Sequence, residues 1–271
     1  MKRTSLRARL LSAPYIVWAA IFIVVPLFIV VYYAFTDRSG VFSLSNITAL
    51  ADYKDTFIIS VWYSVIATVI TLVIAYPFAY ALSRFGANTQ RMMMLLVMLP
   101  MWMNLLIRTY SWMNILERNG IINNVLAGFG IEPLKMIGTP GAVILGMVYN
   151  YLPYMILPIY TVMSKLDITL LEAADDLGAN AFQRLRTLVI PLSMPGVISG
   201  ITMVFVPSVS TFYISQKLGG GKIMLIGDAI ERQIQQQYNY NLGASISLVL
   251  MVMILISMAI MNRFASDDAE R

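Results

Sequence analysis

The sequence predicts an all-α protein that crosses a membrane six times. Its 271 residues are 59% hydrophobic and only 12% charged, whereas a soluble domain carries roughly 25% charged residues. The apolar residues fall into six long runs, and about 20 apolar residues are enough to span a bilayer as a helix. The chain has no cysteine and no histidine, which excludes disulfides, thiolate nucleophiles and histidine-based metal or acid–base chemistry.

Each apolar run is interpreted as a transmembrane helix, including the first. Basic residues precede the first run, as in a secretion signal, but the apolar core of a signal peptide has about 7–15 residues and this run is longer. We therefore predict an N-terminal segment 1–12, a six-helix domain 13–262 and a tail 263–271, with loops at 117–138 and 214–241. The predicted spans cover residues 13–36, 57–82, 92–116, 139–163, 188–213 and 242–262.

The distribution of Lys and Arg predicts the orientation. If both termini lie on one side, that side carries eleven basic residues in short segments and the other side carries eight in longer loops. The side richer in Lys and Arg near span ends faces the cytoplasm. Both termini and the segment 164–187 are therefore expected in the cytoplasm, and the basic character of the chain reflects its membrane topology rather than nucleic-acid binding.

A short amphipathic helix is predicted between the fourth and fifth spans, at Thr169–Leu177. Thr169 and Glu172 match a T-x-x-E capping box at its start, and Gly178 stands where a helix ends in a left-handed residue. A helix this short is marginal alone in water, so its apolar face needs a covering partner, and in the cytoplasm this is a second protein. That face comprises Leu170, Leu171, Ala174 and Leu177.

A second cap follows the glycine. Asn180 and Gln183 have the spacing of a capping box and predict a helix that runs toward Pro191 and into the fifth span. The sequence thus predicts a helix–turn–helix connection, with one helix free to bind a partner and the other continuous with the membrane domain.

The residues around Gly178 resemble the EAA loop of the membrane subunits of ABC importers. The resemblance rests on Glu172-Ala173-Ala174, on Gly178 and on the later Leu188-x-Ile190-Pro191, a conservative departure from the usual Ile and Leu-Pro. Nearly the whole chain resembles the permease subunits of spermidine/putrescine importers. The segments that carry this second resemblance are Leu99–Trp112, Val148–Tyr160 and Leu218–Ile230.

The resemblance implies the type I permease fold of ABC importers, with a cytoplasmic coupling helix between the fourth and fifth spans. It implies a bacterial inner-membrane subunit that is not an enzyme and forms half of a polyamine pathway. Its partners would be a second homologous permease, two cytoplasmic ATPase subunits, an external polyamine-binding protein and the lipid bilayer. The residues expected to couple to the ATPase are Leu170, Leu171, Glu172, Ala173, Ala174, Gly178 and Pro191. Glu172 has the alternative role of capping its own helix.

No cofactor is expected on this chain, and ATP with Mg²⁺ would be bound by the partner ATPase. Gly219-Gly220-Gly221-Lys222 superficially matches a phosphate-binding loop. The G-x-x-x-x-G-K-[ST] pattern fails, however, because Ile223 follows the lysine. We interpret this segment as a turn.

Aromatic and polar residues in the spans are the candidates for the translocation path. No Asp or Glu lies in a predicted span, so a cation would cross on aromatic faces, where each cation–π contact is worth about 0.5–2 kcal/mol. Tyr and Trp are also common at membrane interfaces, and this alternative stays open for each of them. The candidates are Trp102, Asn104, Tyr110, Tyr149, Asn150, Tyr154, Ser208 and Tyr213.

Arg108 and two prolines add to the expectations for the path. Asn104, Arg108 and Ser111 share one face of the predicted third span, as a polar stripe that faces the bundle interior or water. A lone arginine suits a polycation poorly, so Arg108 is expected to pair with a carboxylate such as Glu117, to extend to the interface, or to act in gating or docking. Pro153 and Pro158 predict a broken fourth span, typical of a transport cavity.

Two alternatives to a polyamine permease remain at this point. The same machinery could import another small solute, of the iron, thiamine, phosphonate or sulfate type, and Arg108 would suit an anion. The second alternative is a stand-alone channel or secondary transporter. Such a protein is expected to carry ionisable groups within its spans for coupling and to lack a docking helix, and the sequence shows the opposite pattern.

Overall fold

The computed structural model describes residues 14–269, and these are almost entirely helical. Apart from an isolated bridge between Thr36 and Phe42, this range contains no strand pairing. The predicted segment 1–12 and the last two residues of the predicted tail lie outside the described residues. The helices are α1 (Pro14–Ala34), α2 (Lys54–Ser83), α3 (Ala87–Trp102), α4 (Leu105–Leu116), α5 (Ile121–Gly128), α6 (Pro140–Met163), α7 (Ile168–Asp176), α8 (Ala181–Ser210), α9 (Tyr213–Leu218), α10 (Ile226–Glu231) and α11 (Tyr240–Ala269).

The polytopic all-α prediction is confirmed, with one difference in the third span. Five helices of the described range are long and apolar enough to cross a membrane. A sixth crossing arises if the helices on either side of a bend of 91° count as one span. The continuous helix predicted over 92–116 is wrong, because α3 ends at Trp102 and α4 begins at Leu105. Pro100 in the last turn of α3 contributes to this end, since proline lacks the N–H that continues a helix.

The two predicted loops carry more structure than their polarity indicated. Residues 117–138 include α5, and residues 214–241 include most of α9, all of α10 and a π-helical turn at Arg232–Gln236. Ile214, Leu218 and Leu225 are fully buried. The prediction of a polar loop at 214–241 is therefore wrong, because its apolar residues pack into the protein rather than facing solvent.

The described residues fall into two compact units, and the smaller one comprises 14–54 and 229–252. Within it, Asn241 donates through Nδ2 to the carbonyl of Thr36 at 2.7 Å. Ser245 donates to the carbonyl of Ala34 at 3.0 Å. These side chains satisfy the carbonyls that the C-terminal end of α1 leaves without partners, as every helix end requires.

The larger unit, residues 55–228 and 253–269, is built around the packing of α6 on α8. Small residues allow this close approach: a Cβ added at Gly196 would lie 2.8 Å from the carbonyl oxygen of Pro158, and one at Gly200 would lie 2.7 Å from the sulfur of Met155. Helices in membranes associate through such small residues, which bring backbones into van der Waals contact. Both candidate sites lie in this unit.

Candidate coupling and translocation sites

The helix α7 lies between the fourth and fifth membrane helices, as predicted, but begins with a different cap. Asp167 is the N-cap, and its Oδ1 accepts from the backbone N–H of Thr169 at 3.0 Å. The predicted capping box of Thr169 and Glu172 is therefore wrong, because Thr169 is already inside the helix. Glu172 is exposed and lines a cleft of about 450 Å³ with Arg84 and Arg184.

The turn after α7 has the predicted left-handed geometry. Gly178 has φ +81°, and its N–H donates to the carbonyl of Asp175 at 2.9 Å while Ala179 N–H donates to Ala174 at 3.0 Å. A Cβ at Gly178 would meet no atom within 4 Å. The requirement for glycine here comes from the backbone conformation alone, not from crowding.

The second cap is confirmed, and an ion pair connects the two helices. Asn180 Oδ1 accepts from the N–H of Gln183 at 2.8 Å, and Gln183 Oε1 accepts from the N–H of Asn180 at 2.9 Å. One turn later, Arg184 donates through Nη1 to Asp175. The end of α7 and the start of α8 are thereby held together across the glycine turn.

The apolar face of α7 is divided between this chain and the exterior. Leu171 is buried and packs in a core with Met155, Ile159 and Val189. This differs from the expectation that Leu171 contacts a partner, since the side chain anchors α7 to its own chain. Leu170 is 46% exposed and Leu177 is 88% exposed. The surface left for a partner therefore comprises Leu170, Ala173, Leu177 and Phe182, with Ala174 half-buried.

The connection from the loop into the membrane is one helix. A π-helical turn, Leu185–Val189, joins the capped segment at Ala181–Arg184 to Ile190–Ser210, and Pro191 lies in the first turn of that last segment. The Ser193 hydroxyl lies 2.9 Å from the Tyr76 hydroxyl of α2. The segment that follows the loop is thus continuous with one membrane helix, α8, and in direct contact with a second, α2.

All three residues of the predicted polar stripe belong to α4, which starts after the bend. Asn104 is the N-cap of α4, and its Oδ1 accepts from the N–H of Leu106 at 2.7 Å. Trp102, just before the bend, is 74% exposed. Asn104 and Ser111 are exposed, whereas Arg108 is buried. The predicted spacing along one helix is thus kept within α4, but the three residues differ in environment because only Arg108 is buried.

Arg108 is 6% exposed, so the expectation that it extends to the interface is wrong. Among the described residues, its Nε and Nη1 have no hydrogen-bond partner, and no ion pair joins it to Glu117. Its charge lies close enough to the Tyr151 hydroxyl for an electrostatic interaction. Burying a guanidinium is costly unless the charge is paired, so this arginine is an unusual residue for the interior of the helix bundle.

Two of the candidate aromatic residues meet each other and a lysine. The rings of Tyr110, on α4, and Tyr213, on α9, are edge to face with centroids 6.2 Å apart. The ammonium of Lys217 lies 5.2 Å from the centroid of Tyr110 and 5.7 Å from that of Tyr213. Both distances are within the range of about 6 Å for a cation–π contact. The ammonium of Lys217 therefore lies against two aromatic rings of its own chain.

The other candidate aromatics, Tyr149 and Tyr154, each form a pair with a second aromatic ring. Tyr149 lies 5.3 Å from Trp112, and Tyr154 lies 6.4 Å from Tyr151, both edge to face. The Tyr151 hydroxyl donates to the carbonyl of Pro207 at 3.3 Å. These rings form a partly buried series along α6.

The polar candidates in the spans are buried in the packing between helices. Asn150 donates through Nδ2 to the carbonyl of Gly146 at 2.8 Å, and its Oδ1 is buried without a partner in the described range. Ser208 donates to the carbonyl of Val204 at 2.7 Å. The predicted break at Pro153 and Pro158 is wrong, because α6 runs through both prolines as one helix.

Lys217 is the residue that sequence reasoning missed, and the signal for it is local. Tyr213 and Lys217 are four residues apart, the spacing that places two side chains on one face of a helix. Because residues 214–241 were predicted to be a loop, the helical spacing of Tyr213 and Lys217 was not recognised. The contact with Tyr110 depends on the packing of α9 against α4, which no local pattern contains.

Comparison with known proteins gives one family and a consistent fold. Residues 75–266 match the family described as "Binding-protein-dependent transport system inner membrane component". The chain is 37% identical to the spermidine/putrescine transport system permease protein PotB of Haemophilus influenzae, over 80% of this chain and 79% of that protein. It is 35% identical to PotB of Escherichia coli K12, over 80% of this chain and 82% of that protein.

Two solved structures share the architecture. A chain of a bacterial ABC transporter involved in the import of the acidic polysaccharide alginate superposes with a TM-score of 0.78, at 16% identity, over 96% of both chains. The MetNI methionine ABC transporter gives 0.59, at 18% identity, over 79% of this chain and 94% of that chain. At these identities the likeness establishes the fold alone.

Proposed function

The chain belongs to the family of binding-protein-dependent transport system inner membrane components, and from this membership we propose that it is a permease subunit of an ABC importer for spermidine and putrescine. As a member of this family it is a multi-pass subunit of the inner membrane that takes part in transport and is not an enzyme. The observation that carries the polyamine assignment is the 37% identity to a spermidine/putrescine permease over about four fifths of both chains.

The chemistry of the spans supports a cationic cargo. No carboxylate of the sequence falls in a predicted span, so tight electrostatic trapping of a polycation by this chain is not available. Tyr110 and Tyr213 instead present faces to an ammonium, at about 0.5–2 kcal/mol for each contact. A path of weak, successive contacts lets a bound ion leave again. We assign the aromatic pairs, with Asn104, Asn150 and Ser208 beside them, to this half of the path, and Trp102 to its exposed edge.

The coupling element of the proposal is α7. The exposed Leu170, Leu177 and Phe182 form the surface that an ATPase subunit would grip, while Leu171 holds the helix to the bundle. Glu172 and Ala173 lie on the exposed side of the helix and Ala174 is half-buried. Gly178 sets the angle to α8, and Pro191 lies where α8 enters the membrane domain.

The remaining partners follow from the proposed role. A second homologous permease supplies the other half of the path, two cytoplasmic ATPase subunits bind ATP and Mg²⁺, and a polyamine-binding protein delivers the cargo from outside. This chain binds no cofactor in the proposal. Segments 1–12, 164–187 and 263–271 face the cytoplasm, in accord with the excess of Lys and Arg there.

Reconstitution tests the proposal. The chain, its partner permease and the ATPase are placed in proteoliposomes with the binding protein, and labelled spermidine is added with ATP. We expect accumulation that requires the ATPase and that unlabelled putrescine inhibits. Accumulation without the ATPase would favour a channel or secondary transporter. If spermidine does not accumulate but thiamine, iron or an oxyanion does, the chain would belong to the same kind of importer with another cargo.

A further inference from the structure

The aromatic pair Tyr110–Tyr213 already holds a cation in this structure. Lys217 places its ammonium 5.2 Å from one ring centroid and 5.7 Å from the other. Both tyrosines were selected from the sequence as faces for a transported cation, and the structure finds them occupied by a residue of the same chain. Among the described residues, no ion pair joins Lys217 to a carboxylate. The groups that face its charge include the two rings and the Tyr110 hydroxyl, which shares a side-chain hydrogen bond with Lys217.

The arrangement is built by two elements rather than by a flexible side chain alone. Tyr213 and Lys217 lie one turn apart on α9, and Ile214 and Leu218 of the same helix are fully buried against the bundle. Tyr110 comes from α4, which packs on α9. The helices that carry the two rings are thus fixed by packing, although Tyr110 itself is 41% exposed. The lysine, with four rotatable side-chain bonds, is the member that can leave.

The chemistry of the resident cation matches that of the proposed cargo. A lysine side chain is an aminobutyl group, and putrescine and spermidine contain the same four-carbon chain ending in a primary ammonium. Rings that accept the Lys217 ammonium in this geometry can accept the end of a polyamine in the same way, because cation–π attraction depends on the charge and on its distance from the ring.

We propose that Lys217 is a tethered competitor that fills a polyamine ammonium site when no cargo is present, and that the cargo displaces it. This inference rests on the proposed polyamine function. Replacing one alkylammonium by another changes the free energy of the site very little, so the cargo is bound only weakly. Because Lys217 occupies the site when no cargo is present, inorganic cations are kept out of it. Transported ions need sites of this weak kind.

The first test observes the displacement directly. The assembled importer in nanodiscs is reductively methylated with ¹³C-formaldehyde, which keeps the lysine charge, and the Lys217 signal is assigned by its loss in Lys217→Arg. We expect an upfield ring-current shift without cargo that disappears on addition of spermidine and in Tyr110→Leu. The Lys222 signal serves as the internal control. A Lys217 signal that stays upfield at spermidine concentrations that saturate uptake would overturn the proposal.

The second test measures competition through transport. Lys217→Met keeps the length of the side chain without the charge, and we expect the KM for spermidine to fall about threefold, the size of one exposed cation–π contact. Lys217→Arg keeps a competing cation that also stacks on aromatic rings, so its KM should not fall below the wild-type value, and Lys222→Met should leave KM unchanged. Each variant is first shown to co-purify with its partners.

The outcomes separate the two proposals. An unchanged or raised KM in Lys217→Met overturns the competitor role while leaving the polyamine function intact. A wild-type complex that takes up no spermidine overturns the polyamine function itself, whatever the variants do.

Discussion

Arg184 donates to Asp175 at 2.6 Å, and this contact joins the last turn of α7 to the first turn of α8 across Gly178. The side chains are 25% and 50% exposed, and an exposed ion pair contributes only about 0–1 kcal/mol to stability. The pair is therefore too weak to hold the fold together. Its consequence is geometric, because it favours the angle between α7 and α8 that the left-handed turn at Gly178 sets.

Loss of the ion pair should affect coupling more than stability. We expect Asp175→Asn to change the free energy of unfolding by less than about 1 kcal/mol and to lower the spermidine transported per ATP hydrolysed in proteoliposomes. Without the ion pair, α7 can change its angle to α8 when the ATPase moves it, so less of the movement is passed on to α8. Both quantities are measured on the same reconstituted complex.

The charge-reversed pair Asp175→Arg with Arg184→Asp is the matched control. It restores opposite charges at the same positions, so the transport ratio should recover relative to either single change. A ratio that stays at the wild-type value in Asp175→Asn would contradict a coupling role for this contact.

Gly178 offers a test of the backbone alone. Gly178→Val forces a β-branched residue into φ +81°, at a cost of about 1–2 kcal/mol, although no atom lies within 4 Å of the added Cβ. We expect ATP hydrolysis to continue and uptake to fall, because the strain is relieved by reorienting α7. Gly178→Asn should retain most uptake, since asparagine tolerates this conformation.

Gly130 is the control for Gly178. It has φ +76° and equally open surroundings, but lies in the loop after α5. Gly130→Val should therefore cost similar stability while keeping the transport ratio. Equal uncoupling in both variants would show that strain in general, rather than the turn after α7, causes the loss.

The contact of α8 on α6 predicts a packing defect. In Gly196→Ala the new Cβ would lie 2.8 Å from the carbonyl oxygen of Pro158, and since a backbone atom cannot move aside cheaply, we expect destabilisation by about 1–3 kcal/mol. The midpoint of thermal unfolding of the purified complex measures it. Gly141→Ala on α6, whose Cβ would meet only Thr139 at 3.9 Å, should be neutral or stabilising.

Two lysines outside the spans predict a pKa change. A side-chain contact with Lys222 and the repulsion between the two charges lower the pKa of Lys135. Since the neighbouring charge disfavours the protonated form, Lys222→Gln should raise the pKa of Lys135 toward its ordinary value, and Lys222→Arg should not. A ¹³C-methyl NMR titration of methylated Lys135 measures this, and equal pKa values in all three proteins would refute the contact.

The helices that sequence reasoning located well are those with long apolar runs and clear ends. The fourth span was predicted at 139–163 and is observed at Pro140–Met163, because Thr139 supplies the cap through its Oγ1. The prediction of the third span was wrong because one apolar run contains two helices. The first ends just after Pro100, and the second begins with Asn104 as its cap. The apolar composition of residues 92–116 indicates one continuous span, and the change of direction is evident only from the backbone structure.

The candidate sites divide in the same way. Gly178 and the Asn180–Gln183 box were predictable because turn and cap geometry depends on neighbours in the chain. Burial of Leu171 and Arg108 and the contact of Tyr110 with Lys217 were not, because they depend on helices that are distant in sequence. For Arg108 the sequence left the bundle interior and water as alternatives, and the packing around α4 decides for the interior.

The position of Gly196 within α8 has a mechanical consequence. It lies 15 residues from Ala181 and 14 from Ser210, which at 1.5 Å per residue gives arms of about 22 and 21 Å. If α8 tilts about its closest contact with α6, a displacement of one end produces an opposite displacement of nearly equal size at the other. The segment that leads from Ser210 into Tyr213 would then move by about the same distance as the Ala181 end of α8, in the opposite direction.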